Sequence, residues 1–240
     1  MLIRLSRHIT ILLLLLSFTP LASAQPANGK EIRRHFAFSE PYVAYRDKDG
    51  HPIDEASFLK AFQAGVGFDY QTDPDGKLAI LVLSDPARAL KAGKQIEPGE
   101  QLPAFDLKDM AGTTYSTHAL NGGITVVDFF FVNCGGCIDE VPALNAFAKT
   151  HPEVPAVAIT YDLPEFAARY AKHWRYTWPI IPDAVTLINE VHITAYPTLA
   201  LVDDHGRILA ISLGYSLHPP GRKLSGEDIF HWVESYRKKT

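Results

Sequence analysis

Cys134 and Cys137 are the two thiols of this 240-residue chain, set two residues apart just after the apolar run VVDFFFV at 126–132. Such a pair can be a structural staple, a grip for a soft metal, or a bond that is made and broken. A staple closing so short a loop would remove little entropy from the unfolded chain, because disulfide stabilisation grows with loop length. Two thiolates suit Cu(I). A strand that ends in C-x-x-C at the start of a helix suits redox exchange better. There the backbone N–H groups and the positive end of the helix dipole stabilise a thiolate on Cys134. Cys137, one turn along, can resolve the mixed disulfide that Cys134 forms with a partner.

The elements that must position this pair are legible as alternating strands and helices. TVVDFFFV is a nearly continuous apolar run, as expected of a strand buried on both faces. The helix after Cys134 carries Val141, Leu144 and Ala148 at helical spacing, and VPAVAITYD reads as a second buried strand. PEFAARYAKHW is a helix opening with a proline. TLALVDD and RILAISLG flank a turn at HG, and GEDIFHWVESYRKK is a last helix with Ser225 as its N-cap.

Upstream, KQIEPGEQLPAF at 94–105 reads as a linker. Before it lies a small α+β unit at 36–93, in which YVAYRD is a strand and KDGHP a turn. Its helix starts at Asp54, with Phe58, Leu59 and Phe62 on one face, and a hairpin follows around DPDG. Residues 25–35 are polar and expected to be flexible. No repeat or low-complexity tract is present.

From PGEQLPAF onward, over about residues 98–239, the chain resembles the thioredoxin superfamily, in detail the exported thiol–disulfide oxidoreductases of the TlpA/ResA type. Cys134 and Cys137 match the redox pair, and Pro142 matches the proline that bends the active-site helix. Asp128, six residues before Cys134, stands where thioredoxins keep a buried acid that exchanges protons with the second cysteine. Pro197, after Tyr196 in ITAYPT, stands at the place of a cis-proline facing the disulfide.

The resemblance implies a thioredoxin-like α/β fold, a central mixed sheet flanked by helices, with the small unit at 36–93 as an addition. By it, Cys134 is the nucleophile, Cys137 resolves, Asp128 moves the proton, and Tyr196 with Pro197 holds the substrate strand. It implies no cofactor and no metal. The partners would be proteins bearing dithiols or disulfides, with an upstream membrane or periplasmic electron donor.

The chain also departs from that pattern. Asn133 stands where family members commonly have Trp, and Gly135 and Gly136 between the cysteines bring neither a positive charge nor a proline. Asp139 and Glu140 in the helix's first turn favour the dipole but oppose a nearby thiolate. These features predict a thiol less extreme than that of a strong oxidant, hence a reductase or isomerase-like role.

A peroxidase of the peroxiredoxin kind needs a threonine where this chain has Phe131. A Sco-like Cu(I) carrier, the main alternative, uses C-x-x-x-C and a histidine close to the site of Pro197. Here the nearest candidate is His192, five residues upstream. Trp174 and Trp178 read as packing residues, and HPPGRKLSG at 218–226 as an exposed loop.

Residues 1–24 read as a secretory signal, with Arg4 and Arg7 ahead of ITILLLLLSF and small residues at 22–24. Cleavage after Ala24 would leave a periplasmic protein with no stable membrane span. The rival reading, an anchor through residues 9–22, offers too few strongly apolar residues for the roughly twenty that cross a bilayer. Loss of Arg4 and Arg7 leaves 21 Lys and Arg against 27 Asp and Glu, a net charge of −6. That balance gives no footprint for nucleic acid.

Overall fold

A computed structural model describes residues 29–34, 39–73, 75–117, 120, 123–193 and 195–238. The signal-like segment 1–24 lies outside the described residues.

The small N-terminal unit is built from β1 (Tyr42–Arg46), β2 (Pro52–Ile53), α1 (Glu55–Gln63), β3 (Phe68–Thr72) and β4 (Leu78–Leu83). Its sheet runs β2-β1-β4-β3, with β1 parallel to β4 and β3 paired with β4 as a hairpin. Asp54 caps α1, its carboxylate accepting the Ser57 N–H at 2.7 Å. The period of two along the strands gives the sheet two different faces. Val43, Tyr45, Ala79 and Leu81 pack with Phe58 of α1, whereas Ile80 and Val82 join the core of the following domain. Arg46, on that second face, pairs with Glu165 of the domain at 3.0 Å. The unit is therefore docked through a sheet face.

Residues 29–34, expected to belong to a flexible segment, are instead folded onto this unit. The 3₁₀ turn Ile32–Arg34 buries Ile32 completely against the Val43 and Phe58 cluster. Glu55 accepts the N–H groups of Glu31 and Ile32 at 3.3 and 3.4 Å, so the segment has both an apolar anchor and a polar one.

The second region opens with the hairpin β5 (Asp106–Lys108) and β6 (Thr114–Ser116). It continues as β7 (Thr125–Phe130), α2 (Gly135–Thr150), β8 (Ala156–Thr160), α3 (Pro164–Trp174), β9 (Ile180–Ile181) and α4 (Val185–Val191). The last elements are β10 (Thr198–Val202), β11 (Ile208–Ser212) and α5 (Gly226–Arg237). The five-stranded sheet has the order β11-β10-β7-β8-β9, with β7 parallel to β8 and antiparallel to β10.

All six residues of β7 are buried. Val126 and Phe130 point into the core shared with α2, α3 and α5, and Val127 and Phe129 into the core shared with α4. A strand at the centre of a mixed sheet covered on both faces has to read as an apolar run. The linker at 94–105 is strapped to this domain, Ile96 donating to Val191 O and Leu102 to Gly206 O.

Because Ile80 belongs to β4 of the first unit but is buried in the core of the second region, Ile80→Ala is expected to lower the unfolding free energy by about 2–4 kcal/mol. The fluorescence of Trp174, Trp178 and Trp232, all in the second region, should report that loss. An unchanged tryptophan midpoint would mean that the two regions unfold independently.

Candidate active site

Beyond β7 the chain turns through residues 131–133, and Cys134 becomes the N-cap of α2 in an extended conformation. Its Sγ accepts the Cys137 N–H at 3.0 Å, and the two cysteines form a disulfide with Cα atoms 5.2 Å apart. On α2, Cys137, Glu140, Val141 and Leu144 are buried, the i, i+3, i+4, i+7 face turned onto the sheet. Gly135, Gly136 and Asp139 face outward. Pro142 lies inside the helix, where it brings no N–H to the ladder.

Pro197 comes up against this turn. The Tyr196–Pro197 bond is cis. A Cβ built on Gly136 would stand 3.0 Å from Pro197 Cδ, so a glycine here is what lets the backbone between the cysteines meet the proline ring. Gly135 has open space around it. Tyr196 packs edge-on to Phe131 at 5.3 Å, and its hydroxyl, pushed up to about 12 by burial and by the Asp162 carboxylate, is buried without a hydrogen-bond partner among the described residues.

Two acids are buried in the elements that carry the site, Asp128 in β7 and Glu140 on α2 three residues after Cys137. Asp128 is 2% exposed; its Oδ2 accepts the Tyr176 hydroxyl at 2.8 Å while Oδ1 is unpartnered. Burial pushes its pKa up to about 7, against the opposing hydrogen bond from Tyr176. Glu140 is the residue that sequence reasoning missed. Expected in the first turn of the helix beside Asp139, it lies beyond that turn, because α2 starts at Gly135, and it is buried with its carboxylate against Gly214. Its pKa rises to about 8 through burial and through the charges of Asp128 and Asp139. The signal was present, since a residue three positions after Cys137 shares its helix face.

Asp162, just past β8, was also missed. Its Oδ2 accepts the Val132 N–H at 2.9 Å and the Thr160 hydroxyl at 2.5 Å, which fixes the turn leading to Cys134. Its Oδ1 accepts Gln71 Nε2 of β3 at 3.2 Å, tying the N-terminal sheet to that turn. Burial raises its pKa to about 6, offset by these donors and by the Arg88 charge. Arg88 itself reaches across to the Asp183 carboxylate and to Tyr161 O.

Residues 98–211 match the model of the AhpC/TSA family. The chain is 27% identical over 124 residues to the thioredoxin-like protein YneN of Bacillus subtilis, spanning 50% of this chain and 73% of that one. It is 27% identical over 120 residues to the thiol-disulfide oxidoreductase ResA of Halalkalibacterium halodurans, spanning 48% and 68%. A solved structure of a hypothetical protein from Sinorhizobium meliloti superposes with a TM-score of 0.53 at 19% identity, over 61% of this chain and 87% of that one. The second region thus has a thioredoxin-like α/β fold and is similar over residues 98–211 to the AhpC/TSA family. The strands β1 to β4 and α1 precede the matched segment.

Asp128 and Glu140 hold protons more tightly in the folded chain than unfolded, so the folded state binds more protons between about pH 4 and 8. Stability should therefore fall as pH rises through that window. The melting temperature of the oxidised protein is expected to drop between pH 5 and 8, and Asp128→Asn with Glu140→Gln should flatten the drop. An equal slope in the double variant would contradict the assignment.

Proposed function

We propose that this chain is an exported thiol–disulfide oxidoreductase that acts as a reductase of protein disulfides through Cys134 and Cys137. The observation that carries the reading is the disulfide at the N-terminus of α2, met by cis-Pro197 across Gly136, in a domain whose β7 and α2 each bury an acid with a pKa near neutral. The likeness to ResA, named a thiol-disulfide oxidoreductase, supports it. Export rests on the signal-like residues 1–24.

In the proposed cycle the reduced protein meets a partner disulfide. The Cys134 thiolate, stabilised by the amide end of α2, attacks one partner sulfur, forming a mixed disulfide and expelling the other partner sulfur as a thiolate. Cys137 then gives its proton to the carboxylate of Asp128 and attacks Cys134 Sγ. The Cys134–Cys137 disulfide forms, the second partner thiolate leaves, and Asp128 returns the one proton it took from Cys137 to that thiolate. Two electrons pass from the dithiol to the partner, and an upstream donor must restore them. Tyr196 and Pro197 would hold the partner strand beside the pair.

The absence of a cation in the C-G-G-C turn and the two buried acids favour the reducing direction, since neither stabilises a thiolate strongly. The copper-carrier reading gains no third donor from His192, whose ring lies against Gly93 and within 3.3 Å of Lys91 O. Among the described residues the groups of three or more candidate ligands are Asp47, Asp49 and His51, and Asp203, Asp204 and His205, neither of which includes a cysteine.

Three variants test the cycle with insulin as the protein disulfide and dithiothreitol as the donor. Cys134→Ser should lose activity to the background rate. Cys137→Ser should accumulate a mixed disulfide with an insulin chain, seen by mass spectrometry without reductant. Asp128→Asn should slow resolution at pH 7 by about tenfold or more while leaving the first attack nearly unchanged. Equal capture of insulin by Cys134→Ser and Cys137→Ser would refute the assigned order.

A further inference from the structure

The N-terminal sheet does more than cover the domain. Between its β3–β4 hairpin and the turn before Cys134 lies a cleft of about 570 Å³ whose lining includes Phe131 and Asn133 from that turn and the exposed Tyr70 and Leu90. Asn133 is the residue next to Cys134, so the cleft opens directly beside the disulfide. A second, smaller cavity shares Asn133 and adds Ile138, the residue after Cys137.

The charges in the cleft are unequally compensated. Asp69 sits on the same face of β3 as Gln71, the face that reaches Asp162. Both are among the residues lining the cleft. The cations there are engaged with other acids: Arg88 with Asp183, and Lys48 with Asp49 at 2.7 Å and Asp85 at 4.0 Å. Arg88 acts on Asp69 only at longer range, and partial burial holds the Asp69 pKa above the ordinary carboxylate range. Asp69, exposed on β3 and lining the same cleft as the stacked rings of Phe131 and Tyr161, is complementary to a cationic side chain whose apolar stem can lie on those rings.

We propose that this cleft receives an extended segment of the disulfide partner in which a Lys or Arg, two or three residues from the cysteine that meets Cys134, places its cation on Asp69. The spacing follows from size: a cleft of this volume is on the order of 8 Å across, the reach of two or three extended residues at about 3.3 Å each. The proposal rests on the thiol-exchange reading above and deepens it by assigning the partner's local charge.

The test uses the full chain in its reduced form and short peptides whose single cysteine carries a thionitrobenzoate group, released as a coloured thiolate on attack. The peptides differ only in bearing Lys or Glu two or three residues from the cysteine, on either side. Each rate is normalised to the same protein's rate with hydroxyethyl disulfide. For one placement, the unaltered protein should prefer the Lys peptide by about fivefold or more at low salt, with the preference shrinking as salt is added. Asp69→Asn should bring the ratio close to one, and Asp69→Lys should invert it. A ratio near one in the unaltered protein at every placement would overturn the proposal without requiring any variant to fold, as would an unchanged ratio in Asp69→Asn. Failure to react with hydroxyethyl disulfide would overturn the thiol-exchange reading itself, and this proposal with it.

Discussion

Burial of one face of α2 against β7 is the constraint from which the active site follows. A helix that starts at Cys134 and must bury Cys137 and Glu140 places the disulfide at its amide end and an acid one turn below. The strand it covers is buried on both faces, so the single carboxylate within it, Asp128, takes the Tyr176 hydroxyl on one oxygen and has no partner for the other among the described residues. Desolvation then holds both acids close to neutral protonation, which equips them to give and take protons at physiological pH. Gly135, Gly136 and Asp139 lie on the outward face while Cys134 and Cys137 are buried, and a Cβ on Gly136 would meet the Pro197 ring.

The N-terminal sheet is tied into the same arrangement through Asp162. One oxygen of that carboxylate holds the turn before Cys134 and the other holds Gln71, so the position of the sheet and the geometry of the redox turn share a buried group. Removing it would strand the Val132 N–H and the Thr160 hydroxyl inside the protein, which costs about 1–3 kcal/mol for each unsatisfied group. Ile80 and Val82 add apolar contact to that polar link.

Much of this was legible in the chain. The caps at Asp54 and Ser225 could be read because a short polar side chain before an apolar period has a local physical meaning. The α3 helix is announced by its opening proline, and β7 by its unbroken apolar run. What could not be read depends on contacts between distant segments. β9 is two residues long, and α4 has no side-chain cap, so neither carries a local signal. Ile32 looked like part of a loose tail because its pocket is made by Val43 and Phe58, residues outside its own segment. Asp162 looked like any acid after a strand, since its partners Val132 and Gln71 are remote in sequence. Glu140 could have been found from its spacing to Cys137, but its charge type argued for the surface.

In the proposed cycle electrons flow from the Cys134–Cys137 dithiol to a partner disulfide, and the reduction potential of the pair tests that direction most directly. Equilibration against glutathione and dithiothreitol, read by mass spectrometry, should give a value near about −270 mV, in the range of a thioredoxin. A value near about −120 mV would mark a strong oxidant and contradict the direction proposed here.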